Sequence, residues 1–196
     1  MDDGFARWLG DRSRAERSQG TKDVGQRCCA TTGLRSDHAT DAAGEHMILL
    51  QIYGTPAPQG SKRHVGNGRM IEVSKKVGPW RAAIVAEVKR RELHNELINV
   101  PIAVDVCFFR PRPKNHFNTA GDVKPSAPDF PATMPDLDKL VRSTLDALTQ
   151  SGVIVDDSRI VEITAAKVFA DDRGEGASIF IQTITKSKKY GVNEYE

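Results

Sequence analysis

The sequence predicts a small α/β domain of the α+β type, in which a mixed β-sheet is covered by two main helices. Three observations predict it: short apolar runs separated by turn residues, two amphipathic helix patterns, and a length of 196 residues that fits one domain. With 39% apolar and 28% charged residues, the composition excludes a collagen-like or wholly disordered chain. The longest apolar runs, such as residues 47–50, fall far short of the roughly 18 residues of a membrane-spanning helix.

The first half of the domain is predicted to contain a strand, a hairpin and a helix. Residues 47–53 form a short apolar run that ends in a segment rich in glycine and proline, which indicates a strand followed by a turn. Residues 62–73 contain Asn67-Gly68 between apolar residues, which favours a hairpin because both positions tolerate positive φ. A helix is predicted to begin at Gly78-Pro79, with an apolar face of Trp80, Ile84 and Val88.

The second half is predicted to add four strands and the longer amphipathic helix. A strand over 100–109 is followed by residues 110–135, whose six prolines predict a long irregular loop. A helix is expected over 136–149 and ends before Gly152. Its apolar stripe, expected to pack on the sheet, is Leu137, Leu140, Val141, Leu145 and Leu148. Residues 153–155, 160–169 and 177–185 are predicted strands.

The domain is predicted to cover residues 47–185, between two segments without a core pattern. Residues 1–46 hold 7 basic and 8 acidic residues, and their few apolar residues have no period. They are predicted to be a disordered extension, or to precede the genuine start at Met47. Residues 186–196 are predicted to fray. Three cysteines and no secretory signal pattern predict a protein of the reducing cytoplasm.

Two aspartates at the start of the longer helix are the first candidates for chemistry. Asp136 and Asp138 stand two residues apart in Pro135-Asp136-Leu137-Asp138. The plain interpretation is that they cap the helix and favour its dipole. Taken alone, that interpretation is the better one.

A second acidic pair weakens the capping interpretation. Asp156-Asp157 follows the predicted strand 153–155, which is expected to return antiparallel to the helix, so that Asp157 or Asp156 approaches Asp136 and Asp138. Carboxylates gathered in one place repel one another unless a cation neutralises them, and hard oxygen ligands select Mg²⁺ or Mn²⁺. A polar hairpin turn is the alternative for Asp156-Asp157.

One cation shares the helix face with these acids. Arg142 lies four residues after Asp138, and Asp146 continues the row. An i,i+4 ion-pair ladder is the plain interpretation, and a phosphate-binding cation beside a metal site is the functional one. Both interpretations stay open.

Charge is divided unevenly between two parts of the chain, although the whole carries only +2. Residues 60–114 hold 12 basic and 5 acidic residues, whereas residues 120–175 hold 6 basic and 11 acidic ones. Basic residues that neutralise DNA phosphates beside acids that hold a metal suit an enzyme that cleaves phosphodiester bonds. The candidate DNA-binding residues in predicted loops and the hairpin are Lys62, Arg63, Arg69, Lys75 and Lys76.

The two acidic segments together resemble a known family. The stretches Pro135-Asp136-Leu137-Asp138-Lys139-Leu140-Val141-Arg142 and Val153-Ile154-Val155-Asp156-Asp157 are similar to the RusA-like Holliday junction resolvases. These are small dimeric endodeoxyribonucleases of bacteria, prophages and phages. The looser resemblance covers residues 47–185 and includes Gly60-Ser61-Lys62-Arg63 and Gly78-Pro79-Trp80-Arg81.

The resemblance implies a RusA-like fold and a catalytic set of Asp136, Asp138, Asp157 and Arg142. It implies that Asp136, Asp138 and Asp157 bind Mg²⁺, with Mn²⁺ as a substitute. The family usually has a lysine where Arg142 stands and often an asparagine where Lys139 stands. Arginine keeps the charge without the compact shape of an ammonium, so Lys139 is a second candidate for the cation and for contact with DNA.

These expectations combine into one predicted function with two alternatives. The prediction is a Mg²⁺-dependent endonuclease that resolves four-way DNA junctions by paired symmetric nicks, acting as a homodimer because the junction is two-fold symmetric. A junction-binding protein without catalysis is the first alternative. An Asp-X-Asp glycosyltransferase is the second, although such enzymes place the motif in a loop after a strand.

Overall fold

The fold is a mixed β-sheet with two α-helices packed on one face. A computed structural model of the protein describes residues 38–40, 46–60, 62–64, 70–72, 75–170 and 174–184. The strands are β1 (His38–Thr40), β2 (His46–Tyr53), β3 (Lys62–His64), β4 (Met70–Glu72), β5 (Ile102–Arg110), β6 (Ile160–Phe169) and β7 (Gly176–Thr183). The helices are α1 (Val77–Arg90) and α2 (Leu137–Ser151), and short 3₁₀ turns cover Leu93–Asn95, Lys114–His116 and Asp157–Arg159.

Five strands form the main sheet in the order β1-β2-β7-β5-β6. Neighbouring strands run antiparallel except β5 and β6, which are parallel and place Ile102 opposite Ile160 and Phe108 opposite Lys167. A parallel pair needs a crossover connection, and here the segment that contains α2 supplies it. The loop before α2 therefore lies at the end of the sheet where β5 and β6 finish.

The core lies between the sheet and the two helices. It is built from alternate residues of β2, β5 and β7 together with the apolar faces of α1 and α2. Trp80 of α1 is fully buried, and its indole Nε1 donates a hydrogen bond to Thr144 Oγ1 of α2 at 3.2 Å. The Ser143 hydroxyl donates to the carbonyl of Ala57 at 2.6 Å, which fixes α2 to the segment after β2. Both bonds satisfy buried polar groups that would otherwise destabilise the core.

The predicted fold class is confirmed, and most elements lie within two residues of their predicted bounds. The hairpin forms as β3 and β4, which pair in antiparallel register with Lys62 opposite Glu72. Helix α2 ends at Gly152, whose φ of +79° is one that glycine adopts without strain. Within the described part of the chain, no helix is both long and apolar enough to cross a membrane.

The predicted strand over 153–155 is wrong. Ile154 makes only an isolated parallel bridge to Ile98, in which the Ile98 N–H donates to Val153 and the Val155 N–H donates to Ile98. Val153 and Ile154 are fully buried, so the apolar run reflects core packing and not a ladder. The bridge pairs Ile154 in parallel with Ile98, which precedes β5, and the return of the segment along α2 stays a prediction.

Two other segments differ from the expectation. His38–Thr40, inside the segment predicted to be disordered, form β1 and pair with β2, whereas residues 1–37 and 41–45 lie outside the described residues. The division into extension, domain and tail stays a prediction. The loop over 110–135 contains a small antiparallel bridge between Phe117 and Val123, closed by hydrogen bonds between Asn118 and Asp122.

Candidate active site

An open groove runs along the side of α2 that the core does not use. Its volume is about 630 Å³. Its walls come from the outer face of α2, the 3₁₀ turn before β6, and β6 itself. The lining residues are Leu137, Asp138, Val141, Arg142, Leu145, Asp146, Asp157 and Ala165.

The apolar stripe of α2 serves both the core and this groove. Leu140 and Leu148 are fully buried, as predicted for a helix that packs on a sheet. Leu137, Val141 and Leu145 are only partly buried and form the apolar part of the groove wall. The apolar stripe is therefore wider than the contact with the sheet requires. Its outer edge lies next to the charged residues Asp138 and Arg142 on the same helix.

Asp138 and Arg142 lie in that charged row and face the groove. They are four residues apart on α2, and both side chains are exposed. In the described part of the chain, neither side chain forms a hydrogen bond or an ion pair, so the ladder considered from the sequence does not form. Both groups are available to a ligand in the groove.

Asp136 occupies the N-cap position of α2, but its side chain makes no capping hydrogen bond. Its Oδ2 instead accepts a hydrogen bond from Lys139 Nζ at 2.6 Å. This bond and the charge of Lys139 lower the pKa of Asp136, and the pKa of Lys139 is raised in return. The side chains are 46% and 52% exposed, so the pair is weak and exchangeable. Asp136 is not one of the groove-lining residues.

Asp156 and Asp157, which the spacing left open although the resemblance implied Asp157, have different surroundings in the structure. Asp156 Oδ1 accepts a hydrogen bond from the Ser158 N–H at 2.9 Å and stabilises the 3₁₀ turn. Hydrogen bonds from the Ser158 hydroxyl and N–H lower the pKa of Asp156. Asp157 faces the groove opposite α2. The turn interpretation thus applies to the first aspartate, and the second is the candidate for chemistry.

The third acid in the groove wall is held by a residue that the sequence analysis did not single out. Asp146 Oδ2 accepts a hydrogen bond from Arg81 Nη2 of α1 at 2.6 Å, and the same nitrogen donates to Gln59 Oε1 at 3.1 Å. This ion pair joins α1 to α2. Local spacing could not reveal it, because the partners are 65 positions apart.

Lys167 of β6 is a second residue that the sequence analysis missed. Its Nζ donates hydrogen bonds to the carbonyls of Thr133 at 2.9 Å and Pro135 at 2.8 Å. These carbonyls belong to the segment that leads into Asp136 and α2. Lys167 therefore joins the end of β6 to the start of the helix that carries Asp138.

The predicted DNA-binding residues lie in different parts of the structure. Lys75 and Lys76 are exposed in the turn before α1, and Lys139 is the partner of Asp136. Lys62 and Arg63 lie on β3, where only the backbone is described, and Arg69 lies outside the described residues. The structure therefore does not test their contact with DNA.

The donor chemistry of the groove fits a divalent cation. Asp138 of α2 and Asp157 of the 3₁₀ turn both line the groove, and carboxylate oxygens are hard ligands of the kind that suit Mg²⁺ or Mn²⁺. Among the described residues, no three His, Cys, Asp or Glu side chains are close enough together to hold a metal ion. The expected convergence of all three aspartates is thus not formed, since Asp136 lies beside Lys139.

Carboxylates that bind divalent cations, with a positively charged side chain beside them, suit an enzyme that acts on phosphodiester bonds. The chain matches the model of the family described as Endodeoxyribonuclease RusA over residues 53–182. This match covers most of the chain and contains every residue of the groove. The chain belongs to the RusA endodeoxyribonuclease family, and its class is therefore a hydrolase that cleaves DNA.

A relative from Bacillus subtilis (strain 168) aligns with much of this chain. It is the uncharacterized protein YqaN, which is 27% identical to this chain over 128 residues. The aligned region covers 64% of this chain and 89% of the relative. The likeness therefore extends over nearly the whole relative.

Proposed function

We propose that this protein is a Mg²⁺-dependent endonuclease that resolves four-way DNA junctions by paired symmetric nicks. The observation that carries the proposal is that Asp138, Arg142 and Asp157 line one groove, and that their side chains form no hydrogen bond or ion pair in the described part of the chain. Membership of the RusA family supports the DNA substrate. A DNA substrate also agrees with the cytoplasmic location that the sequence predicts.

The charged groups of the groove would have two different functions at a DNA phosphate, namely phosphate binding and metal binding. Arg142 lines the groove, where its guanidinium would hold a phosphate oxygen and stabilise the charge that develops there. Asp138 and Asp157 would hold Mg²⁺, with Asp136 as the third predicted ligand. When bound, the cation supplies positive charge at the reacting phosphate. The apolar wall of Leu137, Val141 and Leu145 limits water on one side of the site.

The pair of Asp136 and Lys139 gives this site a way to respond to its substrate. Lys139 holds Asp136 only through a half-exposed ion pair. A DNA phosphate that attracts Lys139 would free Asp136 to act as a ligand. Arg142 is the primary catalytic cation in this scheme, and Lys139 contacts DNA.

Two copies of the chain are needed for paired nicks. A four-way junction has two-fold symmetry, and a C2 dimer presents one groove to each of two opposed strands. The basic residues Lys62, Arg63, Arg69, Lys75 and Lys76 would contact the phosphates of the arms. Their charge explains how a chain with a net charge of only +2 binds DNA.

Cleavage of a synthetic junction tests the proposal. We expect the purified protein with Mg²⁺ to nick an immobile four-way junction at symmetric positions and to leave the matching linear duplex intact. Asp138→Asn should bind the junction as wild type does but cut it at least about 100-fold more slowly, because a catalytic charge is lost. Asp105→Asn is the matched control, since Asp105 is exposed on β5 between residues that face the core.

Three results would contradict the proposal. Equal cleavage by Asp138→Asn and wild type would exclude the groove as the active site. Tight junction binding without cleavage at any Mg²⁺ or Mn²⁺ concentration would favour the non-catalytic alternative. Cleavage of linear duplex at the same rate as the junction would exclude structure specificity.

A further inference from the structure

The segment that leads into α2 carries the most exposed large hydrophobic side chain in the described part of the chain. Met134 is 85% exposed, and Asp136 follows it by two residues. A single exposed apolar side chain is ordinary on a protein surface. The backbone around Met134 and the residues near it make this one different.

Lys167 holds the backbone on both sides of Met134. Its Nζ donates one hydrogen bond to the carbonyl of Thr133 and a second to the carbonyl of Pro135, the residues directly before and after Met134. Fixing a lysine side chain costs conformational entropy, so two bonds from one ammonium indicate a defined position for this segment. Met134 therefore projects into solvent from a fixed base and not from a loose loop tip.

This base lies at the end of the groove where α2 begins. Ala165 lines the groove and lies two residues before Lys167, hence on the same face of β6. Phe130, on the same loop, is also exposed. Lys167 and Lys139 place positive charge beside this apolar projection. Lys167 binds the carbonyls on both sides of Met134, and Lys139 pairs with Asp136, two residues after Met134. An apolar side chain beside positive charges suits DNA, whose phosphates are anionic and whose bases have apolar faces.

We propose that Met134 is a wedge that inserts against the bases of branched DNA and unstacks the nucleotide step beside the phosphate that enters the groove. This inference rests on the proposed function and adds the contact that distinguishes a branch point from continuous duplex. Apolar side chains such as Met insert between base steps in proteins that kink DNA, and unstacking is least costly where stacking is already interrupted. The ligand of Met134 is thus an unstacked base at the branch point.

Fluorescence of 2-aminopurine tests the wedge directly. The base analogue is placed at the branch point of a junction, and binding is followed with Asp138→Asn protein in Mg²⁺ so that no strand is cut. We expect binding to raise the fluorescence because the base is unstacked. In the same Asp138→Asn background, a second substitution Met134→Ala should remove most of the fluorescence rise, whereas Met134→Leu should retain it. Leu97→Ala is the matched control, because Leu97 is 54% exposed and precedes the start of β5, at the other end of the β5–β6 pair.

Cleavage kinetics give a second reading in protein with Asp138 intact. Met134→Ala should cut the fully paired junction roughly tenfold more slowly, because the cost of unstacking is no longer offset. The cleavage rate of Met134→Ala should return to that of wild type on a junction with two unpaired bases at the branch point, because those bases need not be unstacked. A loss caused by misfolding would persist on both substrates and would lower the thermal midpoint.

The outcomes separate the wedge from the proposed function. If the wild-type protein neither binds nor cuts junctions, the proposed function fails. If it cuts junctions and Met134→Ala leaves both fluorescence and cleavage unchanged, only the wedge is overturned. A shift of Met134→Ala from dimer to monomer in light scattering, with an unchanged fluorescence rise, would assign the side chain to a protein contact and would also overturn the wedge.

Discussion

Two clusters of acids and arginines, one on each helix, have similar chemistry and opposite arrangements. On α1, Glu87 Oε1 accepts hydrogen bonds from Arg90 at 2.8 Å and Arg91 at 2.7 Å, and Arg91 also donates to the carbonyl of Leu49 at 2.6 Å. On α2, Asp138 and Arg142 face the groove with Asp157 and form no such bonds in the described part of the chain.

The difference teaches which charges stabilise the fold and which are left for a ligand. The carboxylate of Glu87 is 15% exposed and is neutralised by its own helix, so it joins the end of α1 to β2. A cation between Asp138 and Asp157 would reduce the repulsion between their carboxylates, and a phosphate would be attracted by Arg142. Charged groups without internal partners on a rigid helix are what a binding site requires, and four substitutions test this contrast.

Removing Arg142 from the α2 cluster of Asp138, Arg142 and Asp157 should have the largest effect on cleavage. Arg142→Ala is expected to slow junction cleavage by about 100-fold or more, because one preorganised cation at the phosphate is lost. Its thermal midpoint should stay unchanged, since the side chain is exposed and makes no bond within the described structure. Single-turnover cleavage and thermal unfolding measure the two effects. Arg142→Lys should restore part of the rate, and a variant as active as wild type would contradict the assignment.

The cluster of Glu87, Arg90 and Arg91 at the end of α1 should show the reverse pattern, with an effect on stability and none on cleavage. Glu87→Gln is expected to lower the free energy of unfolding by about 1–2 kcal/mol, since three charge-assisted hydrogen bonds to its carboxylate are weakened or lost. Junction cleavage at a temperature well below the unfolding transition should not change. Urea unfolding gives the first quantity, and a rate loss comparable to that of Arg142→Ala would remove the distinction between the clusters.

The pH dependence of stability provides a check on the role of Glu87. The hydrogen bond from Arg90, aided by Arg91, lowers the pKa of Glu87 below its ordinary 4.5. A lowered carboxyl pKa stabilises the folded state fully above the unfolded value and loses that effect as the pH falls through the folded value. The stability difference between wild type and Glu87→Gln should thus be constant near neutrality and shrink below about pH 4.5. A difference that grows on acidification would contradict this account.

Asp146 combines features of both clusters and should show the smallest effects. It lines the groove, yet Arg81 of α1 holds its carboxylate at 2.6 Å. Asp146→Asn is expected to cost about 1 kcal/mol of stability or less, because the pair is partly exposed to solvent. Cleavage should fall by less than about tenfold, because the paired carboxylate is not a predicted metal ligand. A rate loss as large as that of Asp138→Asn would place Asp146 among the metal ligands.

Local patterns predicted the elements but not the partners of their side chains. The spacing from Leu137 to Leu148 and the glycine at 152 located α2, because helix periodicity and helix termination are local properties. The apolar run at 153–155 was mistaken for a strand, since burial against a core and pairing in a ladder give the same pattern. Only the structure shows that Arg81 holds Asp146 and that Lys167 binds carbonyls more than 30 positions away.

The candidate site was predicted as a set of residues and refined by geometry. The sequence indicated that acids from two segments meet, because the connection between α2 and β6 is short and returns along the helix. The spacing alone could not decide between Asp156 and Asp157, since neighbouring residues of a turn point in different directions, and only the family resemblance implied Asp157. The hydrogen bond from Ser158 to Asp156 and the position of Asp157 in the groove favour the same residue, whose role stays a prediction.

One measurement tests the central claim, that the groove along α2 is the active site, most directly. It compares single-turnover cleavage of a four-way junction in Mg²⁺ by Asp157→Asn and by Asp156→Asn, two identical changes at neighbouring positions. Asparagine at 156 keeps an oxygen that can accept the Ser158 hydrogen bond, so we expect near wild-type cleavage, whereas Asp157→Asn should lose at least about 100-fold. Equal loss in both variants, or loss only in Asp156→Asn, would contradict the account.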